Sequence, residues 1–412
     1  MLSINQLPQY GLALDAEDAV HVDLEAARQV EQLLRHCPAY RTTPLHSLPR
    51  LAAELGLRGI LVKDESTRLG LGSFKALGGA YAVIRTVIVE ASRALKRQIE
   101  PKNLLDAPVR SIAASLTFAC ATDGNHGKSV AAGARMLGAR AVIFVHQGVS
   151  AERVDAIKAL GAEVRRVVGT YDDSVAEAAR ACSANGWAAI SDTSWPGYTT
   201  VPRWVAQGYT AMVREVCNEL RDPPTHVFVQ AGVGGLAAAV LGHLALTLER
   251  RPRFVIVEPE RAACLHASSL AGHRVAIAPA EPTVMSMLEC YEPSLVAWSV
   301  IAKLADAFLT VSESDGIRAM RQFARPVQGD TPIVAGESGG AGLAGLLSVV
   351  ANRVDRQALG LDRESVVLLF NTEGATDDSV YRSLLGIGPD EVRSCIRAGI
   401  SSKKDHAGSV DQ

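Results

Sequence analysis

The chain has 412 residues, 48% of them hydrophobic and 21% charged. That composition excludes a disordered chain and, at roughly 150 residues per domain, allows two to three domains or one large two-lobed unit. Lys and Arg (42) balance Asp and Glu (44) to a net charge of -2, and aromatics are only 5%, so nucleic acid and anionic membrane surfaces lack their electrostatic and stacking footprint.

The opening segment MLSINQLPQYGLALDAEDAV has no basic stretch followed by an apolar run, so no signal peptide is expected and the cytoplasm is the expected compartment. Seven cysteines without a CxxC pair fit neither a secreted disulfide framework nor a structural zinc site. Whether Cys264 and Cys290 bridge is left open.

Taken in chain order, β-type runs at 59–64, 141–146, 163–169, 187–191, 226–232, 254–260 and 366–374 alternate with helical patterns at 74–95, 126–138, 150–161, 171–186 and an Ala-rich run after Gly235. Alternation of this kind predicts an α/β fold with a parallel sheet covered on both faces. The unit from Ala121 to Val168, helix, strand, helix and strand, reads as a compact inserted lobe. The apolar stretch Val227–Leu248 is interrupted by glycines and carries His243, so it reads as strand, loop and helix rather than a membrane span. The polar tail SSKKDHAGSVDQ is expected to fray.

Five places could carry chemistry. Lys75 follows a Gly-rich loop and starts a predicted helix, where the macrodipole disfavours a cation; such an amine is expected to have a lowered pKa and to form an imine, unless it is simply a solvated lysine. The turn ATDGNHG at 121–127 offers Asp123, Asn125 and His126 either to a ligand or merely as turn and cap residues. QAGVGGLAAA places Gly232, Val233, Gly234, Gly235 and Leu236 between a strand and a helix, which suits a bound phosphate. Read as G-x-G-x-x-A over 232–237, with Glu258 closing the next strand, the same loop also suits a dinucleotide, and an NAD-dependent dehydrogenase remains a rival. Asp192 and Thr372 stand at the ends of predicted strands, where open α/β sheets place their sites. No HExxH, EF-hand loop or Cys/His cluster is present, so no metal is implied; the nucleophile elbow and P-loop motifs are missing too.

In order and content these segments resemble the fold type II pyridoxal-phosphate enzymes, the group of tryptophan synthase β and threonine dehydratase, and most closely the diaminopropionate ammonia-lyases. The likeness rests on KDES-x-R-x-GL-x-x-FK-x-LGG at 63–79, ATDGNHG, DT-x-W-x-GY at 192–198, the AGVGG loop and TEG at 372–374. It implies pyridoxal 5'-phosphate in a cleft between two lobes, each with a mostly parallel sheet flanked by helices. The larger lobe would comprise 1–90 and 211–412, the smaller 91–210.

By the same resemblance Lys75 bonds the cofactor aldehyde, with Phe74 beside it. The loop Gly232, Val233, Gly234, Gly235 and Leu236 holds the phosphate, Asn125 the 3'-oxygen, and Thr372 faces the pyridine nitrogen. Lys75 and Asp123 would serve opposite faces of the substrate Cα, so that D- and L-2,3-diaminopropionate both yield pyruvate and ammonia. Asp123 and Asp192 are the carboxylates for acid/base work, and desolvation is expected to raise their pKa. Gly72 and Ser73 are smaller than the resemblance leads one to expect, which implies a wider pocket. A serine/threonine dehydratase, or a lyase for a bulkier β-substituted amino acid, is the alternative; a homodimer is the implied assembly.

Overall fold

A computed structural model of the chain describes residues 1–169, 171–279 and 281–395. The polar tail expected to fray lies outside the described residues. The strands are β1 (Leu2–Ile4), β2 (Leu45–Ser47), β3 (Gly59–Asp64), β4 (Thr117–Ala121), β5 (Arg140–His146), β6 (Glu163–Val167), β7 (Ala188–Ala189), β8 (His226–Gln230), β9 (Arg253–Pro259), β10 (Ala307–Val311) and β11 (Val366–Asn371). Among the described residues they form a seven-stranded sheet, β1-β10-β9-β8-β11-β3-β2, and a four-stranded one, β6-β5-β4-β7. The smaller sheet is wholly parallel; in the larger only the edge strands β1 and β2 run antiparallel.

The continuous apolar runs follow from burial on both faces. In β8, Val227 and Val229 point into the core shared with the helix Gly235–Thr247, whereas Phe228 points into the core shared with the helix Ala341–Ala351. The Val227–Leu248 stretch is thus a strand and a 13-residue helix, and no described helix is long and apolar enough to cross a membrane.

Helices also join the two sheets. The helix Lys75–Leu95 packs against Asn125–Leu137 and Thr200–Glu219 at very short range. A Cβ on Gly208 would lie 2.7 Å from the Gly78 Cα, and one on Gly79 would lie 2.7 Å from Ser129 Oγ. The glycine pair of the LGG string therefore serves helix packing. The lobe limits drawn at 90/91 and 210/211 each fall inside a helix, Lys75–Leu95 and Thr200–Glu219.

Candidate active site

Strands β3, β11 and β8 are neighbours, and the loops that leave their carboxyl ends meet in one cleft. Phe74 N donates to Thr372 O (2.9 Å), Gly374 N donates to Gly72 O (3.0 Å), and Ser73 bridges Glu373. The lysine loop and the TEG segment are thus zipped into an antiparallel ribbon. Gly72 takes φ +83 in it, a conformation that favours glycine, and Ser73 is buried; the ribbon itself accounts for these small residues. Phe74 packs tilted against Tyr209, ring centroids 4.7 Å apart, and delivers Lys75 as the first residue of its helix.

Beneath this loop the KDES-x-R string folds into a buried charge network. Arg68 donates to Glu65 (Nε to Oε2, 2.7 Å; Nη2 to Oε1, 2.8 Å) and to Glu215 (Nη1 to Oε1, 2.8 Å; Nη2 to Oε2, 2.6 Å). Lys63 Nζ lies 2.8 Å from Glu215 and donates to Thr43 O (2.7 Å). Two cations and two carboxylates without water are tolerable only when mutually paired, as they are here.

Lys75 Nζ donates to Asp192 Oδ2 at 3.1 Å. Desolvation pulls the amine pKa down, but Asp192, Cys290 and Asp123 more than offset it, so the group is held above its ordinary value. The expected lowering is corrected: the helix terminus is outweighed by a carboxylate 117 residues away. Desolvation pushes the Asp192 pKa up, but Lys75 and then His126 overcome it and hold the group down at about 2. Asp192 is therefore an ionised partner of the amine, not the raised acid expected.

Asp123 stands two residues past the end of β4; its side chain is 29% exposed, but its Oδ1 is buried and lies 3.1 Å from His146 Nε2. Buried His126 shares a hydrogen bond with Ile190 O (2.8 Å), and burial lowers its pKa. Tyr171, whose hydroxyl feels both Asp192 and Asp123, stands at the same cleft. His146 and Tyr171 carried no sequence signal; a strand end marked the first in principle.

Asn125, first residue of its helix, donates to Glu373 Oε2 (2.6 Å). Burial, and then the neighbouring carboxylate, push Glu337 up to about 7; burial likewise raises Glu373, and Arg153 Nη2 donates to Glu337 (3.2 Å). Thr372 Oγ1 lies 3.1 Å from Gln230 Nε2, whose two N–H groups are shared between it and the carbonyls of Ser338, Gly339 and Phe370. Gln230, Glu337 and Arg153 were missed because nothing in their own neighbourhood marks them.

At the end of β8, Gly234 takes φ +99 and caps the helix Gly235–Thr247. A Cβ on Gly232 would lie 2.8 Å from Cys290 Sγ, whereas one on Gly235 would meet nothing nearer than Asp192 O at 3.7 Å, so the loop is open toward Lys75 and Asp192. Val233 O accepts from Ser294 N (2.9 Å), and Leu236 is buried. Cys264 and Cys290 are both free thiols.

Glu258 accepts from the backbone N–H of Leu265 (2.8 Å) and His266 (2.7 Å) and is fully buried. It anchors a helix and is not available to a ribose, which removes the acidic partner that the dinucleotide reading required. Pyridoxal phosphate fits: a helix N-terminus for the phosphate, an amine for the aldehyde, a hydroxyl at Thr372, and buried atoms without a protein partner at Ser73 Oγ, His126 Nδ1 and Glu373 Oε1.

Residues 37–372 match the family model of the pyridoxal-phosphate dependent enzymes. The chain is 38% identical over 374 residues to the diaminopropionate ammonia-lyase of Escherichia coli strain K12, covering 89% of this chain and 92% of that one. It is 36% identical over 368 residues to that of Salmonella typhimurium strain LT2, covering 85% and 89%. A solved structure of the Escherichia coli diaminopropionate ammonia lyase, in complex with an aminoacrylate-PLP azomethine reaction intermediate, matches with TM-score 0.83 and 35% identity over 93% of this chain and 96% of that one. The chain therefore belongs to the pyridoxal-phosphate dependent enzymes, in their fold type II architecture, and within them to the diaminopropionate ammonia-lyase family.

Proposed function

We propose that this enzyme is a carbon-nitrogen lyase that eliminates the β-amine of 2,3-diaminopropionate, in D or L form, to give pyruvate and ammonia. The observation that carries it is Lys75 held 3.1 Å from Asp192 in a cleft flanked by Asp123 and the glycine loop, in a chain of the ammonia-lyase family. When bound, pyridoxal phosphate supplies an electron sink for the pair left at the substrate Cα.

The protein's own residues do the rest. Backbone N–H groups at Gly232–Leu236 would hold the phosphate, Asn125 would take the 3'-oxygen, and Thr372 would offer the ring nitrogen a neutral hydroxyl rather than a carboxylate, which suits elimination. Lys75 in its neutral amine form, positioned by Asp192, takes the Cα proton from one face; Asp123 takes it from the other. The departing amine needs a proton, and the group that has just accepted one is the nearest donor. The unsaturated amine released hydrolyses in water.

Sheet membership supports a smaller lobe carrying β4–β7, with its limits at helix ends rather than at 91 and 210. The family resemblance supports a homodimer.

The test is pyruvate release from D- and L-2,3-diaminopropionate and L-serine, read beside the visible absorbance of the holoenzyme. Lys75→Ala abolishes both colour and turnover, and Asp123→Asn damages D-substrate more than L-substrate. Turnover like wild type in Lys75→Ala overturns the mechanism, and a response to serine alone moves the enzyme to the dehydratases.

A further inference from the structure

Strands β4 and β5 run parallel, with Ala121 opposite Phe144. Two residues past that pair, His146 ends β5 and Asp123 stands in the turn that follows β4. The register thus delivers an imidazole to the carboxylate, and the two meet at 3.1 Å, Nε2 to Oδ1. The other ring nitrogen is engaged: Nδ1 accepts from Gly148 N–H at 3.1 Å. A nitrogen that accepts carries no proton, so in the neutral ring the proton sits on Nε2, facing Asp123.

We propose that His146 is the positioning residue of Asp123: its imidazole, with Nε2 3.1 Å from Oδ1, holds the carboxylate at the cleft edge, turned to accept a proton from substrate Cα. This rests on the reading of Asp123 as an acid/base group. No proton leaves the imidazole in the step; the Cα proton passes to the second carboxylate oxygen, and His146 holds the carboxylate in place. Hydrogen bonding to Asp123 is the main cause that holds the His146 pKa above its ordinary value; desolvation opposes it, Glu289 adds to it and Arg166 on β6 subtracts. Both side chains are partly wet, at 26% and 29% exposure, so the effect is moderate.

In the holoenzyme, His146→Ala lowers kcat/KM for D-2,3-diaminopropionate about ten-fold, with a smaller change for the L-substrate. His146→Gln, whose side-chain amide donates from the place of Nε2–H, recovers most of the loss. A second measurement is independent of turnover: the pH midpoint of His146 C2 hydrogen exchange, read by mass spectrometry, falls in Asp123→Asn. Equal losses on both substrates in His146→Ala, no recovery in His146→Gln, or an unmoved exchange midpoint overturns the proposal while a D-selective Asp123→Asn leaves the reading of Asp123 standing. An unselective Asp123→Asn overturns that reading and the proposal with it.

Discussion

Glu215→Gln should destabilise the protein by about 3 kcal/mol, and the structure sets the magnitude. Glu215 faces five donor atoms: Lys63 Nζ at 2.8 Å, Arg68 Nη1 and Nη2 at 2.8 and 2.6 Å, Thr43 N at 3.3 Å and Tyr40 Oη at 3.4 Å. Removing its charge leaves two buried cations with Glu65 alone. Arg68 keeps its two bonds to Glu65, so the uncompensated charge falls on Lys63, which retains Thr43 O and has partly exposed Glu219 at 3.8 Å. Breaking a buried pair costs about 3–5 kcal/mol, and Glu219 places this case at the low end, a Tm loss of roughly 5–10 °C for a large domain.

The pH dependence has a definite sign. Burial pushes the Glu215 pKa up, but Arg68 and Lys63 bring it below the ordinary 4.5, so its contribution is complete above that pH and is lost as pH falls through the folded value. The gap between variant and wild type therefore closes only in acid. The assay is thermal melting followed by circular dichroism, with Lys63→Met added to Glu215→Gln as a double variant. A Glu215→Gln melt within about a degree of wild type, or a double variant no more stable than the single, would refute the reasoning.

Gly208→Ala puts a Cβ 2.7 Å from the Gly78 Cα and 2.8 Å from Leu77 O; backbone on both sides cannot yield, so overpacking of about 1–3 kcal/mol exceeds the helix-propensity gain of up to about 1. Lower thermal stability and reduced turnover are expected, since Gly78 lies one turn beyond Lys75, and a melt at or above wild type would sink the packing argument. Burial pushes the Glu258 carboxyl up to about 8 against its two backbone donors. Between about 4.5 and 8 the folded state holds a proton that the unfolded chain has lost, so this group makes stability fall with rising pH. Denaturant midpoints for Glu258→Gln should therefore gain on wild type from about pH 5 to about pH 8, and curves that stay parallel would contradict that sign.

Much of the fold was legible because its signals are local. β3, β5, β8, β9 and β11 announced themselves as apolar runs closed by glycine or a polar turn. β10 was not read: the helix Leu295–Leu304 passes into it through ADAF without a Gly or Pro, so the change of period has no punctuation. β1 and β2 are three-residue edge strands with too few positions for an alternation to show. At the site, Lys75, Asp192, Thr372 and the glycine loop were legible from their places at strand ends and helix starts. Their charge states were not, because Lys75 and Asp192 set each other's pKa from 117 residues apart.

The KDES-x-R string separates what a motif identifies from what its residues do. It marks the family, yet Lys63, Glu65 and Arg68 are fully buried and bond Thr43, Glu215 and one another. Their spacing is that of a scaffold: Lys63 near the end of β3, Glu65 on the loop, and Arg68 three residues on, where its guanidinium bridges to the helix Thr200–Glu219. That helix also carries Tyr209 under Phe74 and Gly208 against Gly78. The same element thus fixes the loop before Lys75 by charge and the helix after it by close packing. A lysine so clamped on both sides has little freedom beyond its own rotamers, which is what the double role proposed for it, toward a cofactor and a substrate proton, requires.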